Sequence, residues 1–167
     1  PFSFIFGESE VELVPNSAIG TFNYAHSFWR AGRALLILEW EQGETHPDSP
    51  IEFLHWHAIE LFLKAFLLSD GLSEDELRRK PYGHNVRTLA DEAVKRGLQL
   101  TAKDESVISF MPTTNDMIEL RYLKVGVKTV PDIQEIGTTC KSLYRLVAHA
   151  LRSHGIHVRY YPDEAKD

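Results

Sequence analysis

Three side chains in the stretch 51–68, IEFLHWHAIELFLKAFLL, are of types that could do chemistry: His57, Glu60 and Lys64. Spacings of three and four residues put them on one stripe of a helix. Glu60 to Lys64 is the favourable orientation for an i,i+4 pair, and thirteen of the eighteen residues in the stretch are apolar, so the pair is expected to have little water around it. Buried charge must be compensated. The pair is therefore either a satisfied structural network or the floor of a site, and both readings stand at this point.

Other chemistries find less support. His55 and His57 are two apart and point about 200° from one another around a helix, and no HExxH, cysteine pair or clustered carboxylate set suggests a metal site. His26 and His46 look isolated. No glycine-rich phosphate loop is present, which argues against a P-loop nucleoside triphosphatase or a dinucleotide enzyme. No cofactor is expected. Trp29, Trp40 and Trp56 fall on expected helices and suit packing or a dimer face better than base stacking.

The elements that must position these groups read as helices. Residues 51 to 68 form a central helix buried on most of its circumference, with Pro50 where a first turn tolerates it. Before it, a helix is expected from about Ser17 or Thr21 to Gln42, with Phe22, Ala25, Phe28 or Trp29, and Gly32 facing inward. Ala25, Ala31 and Gly32 keep part of that face small, and Gly43 ends the helix. After it, Ser73 and Glu76 make a capping box for a short charged helix. A turn, PYGHNV, leads into a helix from about Asn85 to Arg96, whose apolar face is Val86, Leu89, Ala90, Ala93 and Val94. Residues 101 to 126 are helical by periodicity, with a break at Pro112. The last helix carries Ile133, Ile136, Cys140, Leu143 or Tyr144, Val147 and Leu151 at a period near 3.6, and Gly155 ends it. Residues 2 to 14 alternate with period two and suggest an extended arm, packed on the helices or completed by a partner chain. The predicted fold is all-α: one domain over 1–167, an up-and-down bundle of about five helices, with an arm at 1–20, a helical core at 21–154 and a tail at 155–167.

Composition narrows the function classes. With 18 Lys plus Arg against 24 Asp plus Glu, the formal charge of -6 offers no global field for duplex DNA. The central stretch is too short and too interrupted by charge for a membrane span. Cys140 is the single cysteine and is expected as a core thiol, which fits a reducing compartment. The opening PFSFIFGE is unlike a signal peptide, so a soluble cytoplasmic protein is expected, whose initial Pro suggests that a start residue or leader is missing.

HAIELFLKAFLL, then YGHNVRTLADEAVKRG, then ELRY, together resemble the HEPN superfamily of small helical bundles. The likeness rests on Ala58, Glu60, Leu61, Leu63, Lys64 and Ala65 in the second helix. It continues with Gly83, His84 and Leu89 at the third and with Arg121 and Tyr122 later, and it covers residues 22 to 151 in helix order. The resemblance implies a binding or interaction domain whose polar centre is Glu60, Lys64, His84 and Arg121. Lys64 and Arg121 would hold a phosphate of a nucleotide or RNA, Glu60 would orient one of them, and His84 would donate from the start of its helix. It also implies a homodimer, and either a nucleotidyltransferase-like partner or a non-catalytic, antitoxin-partner role.

Some members of that superfamily are metal-independent ribonucleases of toxin or defence type, which use an Arg followed a few residues later by a His near the last helices. Candidates here are Arg79 with His84 and Arg152 with His157; the first crosses Pro81 and Gly83, and Arg121 is followed by YLKVGVK with no His. Such cleavage needs a base for the 2'-hydroxyl, a proton donor for the leaving oxygen and a cation beside the phosphorane. Arg152, His154 and His157 contain those groups and are the candidate catalytic set, but they also read as the ordinary basic end of a helix.

Overall fold

A computed structural model describes residues 17–38, 48–111 and 131–159. These residues form an all-α bundle of six helices: α1 (Ala18–Leu35), α2 (Asp48–Ser69), α3 (Glu74–Arg78), α4 (Val86–Lys95), α5 (Ala102–Ser109) and α6 (Ile133–Ser153). No strand occurs among the described residues. The expected arm at 2–14, Trp40, Gly43, His46 and everything from Pro112 to Val130, Arg121 included, lie outside them.

The central helix is α2, which packs against α1, α6 and α4. Ile51, Trp56, Ile59, Phe62, Leu63 and Leu67 are all fully buried, as the near-continuous apolar run requires. Its C-terminus closes where the chain turns left-handed at Gly71 (φ +97°), so that Leu72 N–H reaches the Leu67 carbonyl at 3.0 Å and the Leu72 side chain returns to the core. The capping box at α3 forms as expected: the Ser73 hydroxyl accepts from Glu76 N–H, and the Glu76 carboxylate accepts from Ser73 N–H at 2.8 Å. Leu77 then anchors this short helix in the core. No helix of the described residues is long and apolar enough to cross a membrane.

Several expectations change in detail. On α1 it is Trp29 that is buried, with Phe28 only half-buried, and Ala31 faces solvent, so the small part of the inward face is Ala25 and Gly32. The helix closes at Leu35, before Gln42, and 36–38 form a turn in which Leu38 N–H reaches the Leu35 carbonyl. Val94 is 42% exposed, because α4 packs only through Val86, Leu89, Ala90 and Ala93. Both Leu143 and Tyr144 are buried on α6, which is flanked by α1 and α2 and so presents a wide apolar face.

Candidate functional site

The polar centre is built where α2 passes the start of α4. Gly83 adopts φ +47°, a left-handed turn that glycine makes without strain, and Asn85 caps α4 by accepting from Thr88 N–H at 3.2 Å. His84 lies between these two residues and is thereby laid across α2. Its Nδ1 is 2.9 Å from Oε1 of Glu60, and the same oxygen accepts from Lys64 Nζ at 2.6 Å. An ionised carboxylate can only accept, so Nδ1 carries the ring proton and a neutral His84 keeps its lone pair on Nε2.

Exposure is graded across this network. The Glu60 side chain is 1% exposed, Lys64 16% and His84 59%, so a buried anion is covered by two basic groups of which the outer one meets solvent. The second oxygen of Glu60, Oε2, is buried without a hydrogen-bond partner among the described residues. All three residues line a cleft of about 510 Å³. One wall is apolar, from Tyr24, Leu61, Leu68 and Leu77. Along another, Arg78 donates to Glu74, an i,i+4 pair on α3 with the same polarity as Glu60 and Lys64 on α2.

His57 shares the cleft, as its spacing from Glu60 predicts, but its ring belongs to an aromatic group. It stands edge-on to Phe28 at 4.4 Å between centroids and stacks with Phe53 at 6.1 Å. Tyr24, itself 4.9 Å from Phe28, completes the group. The i,i+4 pairs Tyr24 with Phe28 and Phe53 with His57 are visible in the sequence; that the two pairs meet across α1 and α2 is not.

The C-terminal candidates lie elsewhere. Gly155 (φ +76°) ends α6 between Arg152 and His157, and the Arg152 guanidinium donates to the Val158 carbonyl at 3.3 Å, tying the following segment back to the helix. His154 and His157 are exposed, and neither they nor Arg152 line the cleft with Glu60. Arg145 and His149, one turn apart on α6, are a further Arg and His pair at short spacing. Arg121 lies outside the described residues.

Two histidines gain a role from packing. His26 is buried, with its ring 5.1 Å from that of Tyr144 and 6.0 Å from that of Trp29, so it is part of an aromatic cluster rather than isolated. His55 is fully buried between α1 and α6, and neither ring nitrogen has a hydrogen-bond partner among the described residues. Burial, reinforced by the nearby charge of Arg33, lowers its pKa to about 4. Cys140, also buried, donates to the His55 carbonyl, and desolvation pushes its thiol well above the ordinary range. Among the described residues no three His, Cys, Asp or Glu side chains are grouped so as to hold a metal ion. No known protein family, curated protein or solved structure matches the chain.

Proposed function

We propose that this helical domain binds a small phosphate-bearing ligand, a nucleotide or the end of an RNA, in the cleft between α1, α2, α3 and the turn before α4. One observation carries the reading: a single oxygen of the buried Glu60 carboxylate holds both Lys64 and His84 at the cleft. A carboxylate that is 1% exposed fixes two basic groups in place, and Lys64 retains two further N–H donors for an anion. Arg78 supplies a third basic group, and the wall of Tyr24, Leu61 and Leu68 suits the apolar part of such a ligand. The resemblance of the sequence to the HEPN superfamily supports the same reading, and under it Arg121 would add a fourth cation. The buried single cysteine supports a reducing, cytoplasmic setting.

Calorimetric titration with ATP and with inorganic pyrophosphate tests the reading. The unaltered chain should bind both, and Lys64→Met should weaken both at least tenfold. Arg78→Gln should weaken them several-fold while leaving the fold intact, since Arg78 is mostly exposed. An unaltered chain that binds neither ligand overturns the proposal.

A further inference from the structure

The geometry of His84 goes beyond binding. Its Nδ1 proton is engaged by Glu60 at 2.9 Å, so the lone pair of the neutral ring sits on Nε2 of a side chain that is 59% exposed at the cleft. The carboxylate beneath it is buried, and its second oxygen has no hydrogen-bond partner among the described residues. Attack through Nε2 turns the ring into a cation, and the carboxylate hydrogen-bonded to Nδ1 lies where that charge develops. Lys64, on the same oxygen at 2.6 Å, places an ammonium group beside the ring. The exposed rings of His149, His154 and His157 have no carboxylate partner among the described residues. Resting on the phosphate-site reading, we propose that His84 is a phosphoryl acceptor, whose Nε2 takes a phosphoryl group from an acyl phosphate or a phosphoanhydride in this cleft.

The step balances without a further reagent. The Nε2 lone pair forms a bond to phosphorus, and the bond from phosphorus to the donor's bridging oxygen breaks. Its electron pair leaves on the released carboxylate or on the shortened phosphate chain. The ring keeps its Nδ1 proton and takes up positive charge, which Glu60 opposes, while the remaining N–H bonds of Lys64 offset the charge of the phosphoryl oxygens. Later attack of water on phosphorus returns the pair to Nε2 and releases inorganic phosphate, with one water proton passing to solvent.

The test is incubation of the full chain with acetyl phosphate, followed by site-resolved mass spectrometry of acid-labile phosphorylation. His84 should be modified at least tenfold faster than His154 in the same molecules, and His84→Gln should lose that signal alone. Glu60→Gln should lower labelling of residue 84 to the His154 rate. Because that variant disturbs a buried pair, a second measurement uses the unaltered chain: saturating pyrophosphate should protect His84 and leave His154 unprotected. Equal rates at His84 and His154 overturn the proposal. If pyrophosphate binds in a Lys64-dependent way while His84 shows no preference, the phosphoryl-acceptor role falls and the binding function stands; if neither binding nor labelling occurs, both fall.

Discussion

Gly32 and His55 meet so closely that a Cβ built on Gly32 would lie 2.9 Å from Nε2 of the imidazole. The ring is fully buried where α1 crosses α2, with Gly137 of α6 on its other side, so it has nowhere to retreat. Gly32→Ala gains about 1 kcal/mol of helix propensity but incurs an overpacking cost of about 1 to 3 kcal/mol, so a net destabilisation is expected. In a His55→Ala background the same change should become neutral or stabilising. Denaturant melts of the two singles and the double measure the coupling, and a stabilising Gly32→Ala in the unaltered chain would show that the contact does not constrain α1.

His55 also predicts an acid limb. Its folded pKa of about 4 lies below its ordinary 6.5, so between these values the unfolded chain binds more protons and stability rises with pH. The stability associated with the neutral ring is fully present above pH 6.5 and is lost as pH falls towards 4, about 3 kcal/mol in all. Melts at pH 7, 6 and 5 should show a fall that His55→Leu largely removes. An identical pH dependence in that variant would assign the acid limb to other groups.

Breaking the central pair should be costly from either side. Lys64→Met leaves the buried Glu60 with only His84, and Glu60→Gln leaves Lys64 and His84 without their anion. Each single change is expected to destabilise by about 3 kcal/mol, and the double by clearly less than the sum. Additive losses in the double-mutant cycle would mean that the two charges do not depend on one another.

Arg152 is engaged with the Val158 carbonyl, so Arg152→Ala should loosen the segment after α6. Chelator-treated protein is expected to give no robust cleavage of unstructured RNA. Chelator-resistant cleavage that disappears in both Arg152→Ala and His157→Ala, with helical circular dichroism retained, would reverse that expectation and move the active site to this end.

A homodimer is expected, with its contact surface on α1. The apolar circumference of α2 is covered within the chain by α1, α4 and α6, whereas Tyr24, Ile37 and Leu38 of α1 and its closing turn are more than half exposed. Light scattering at micromolar concentration should give twice the chain mass, and Ile37→Glu with Leu38→Glu should return it to one. A monomeric unaltered chain would remove the dimer.

The local signals in the sequence carried far. The apolar run from Ile51 to Leu68 dictated a buried helix, because so much apolar surface is stable only when enclosed. Ser73 with Glu76 and Gly155 marked a start and a stop, because caps and left-handed turns are decided within a few residues. The spacing of Glu60 and Lys64 placed their charges together for the same reason. The sequence resemblance brought His84 into this set, and the turn at Gly83 is what lays it on Glu60.

What the sequence left undecided depended on which helix faces which. Nothing local distinguishes Trp29 from Phe28, Ala31 from Gly32, or a solvated His55 from a buried one, since each choice turns on the direction from which a neighbour approaches. Whether Glu60 belongs to a sealed network or a site was likewise open. Tertiary packing encloses the carboxylate, leaves Lys64 partly covered and brings Tyr24 of α1, the ion pair of α3 and the turn before α4 around one cleft. Spacing along a chain sets which groups share a face, but burial, and with it the strength of a charge, is set by residues distant in sequence.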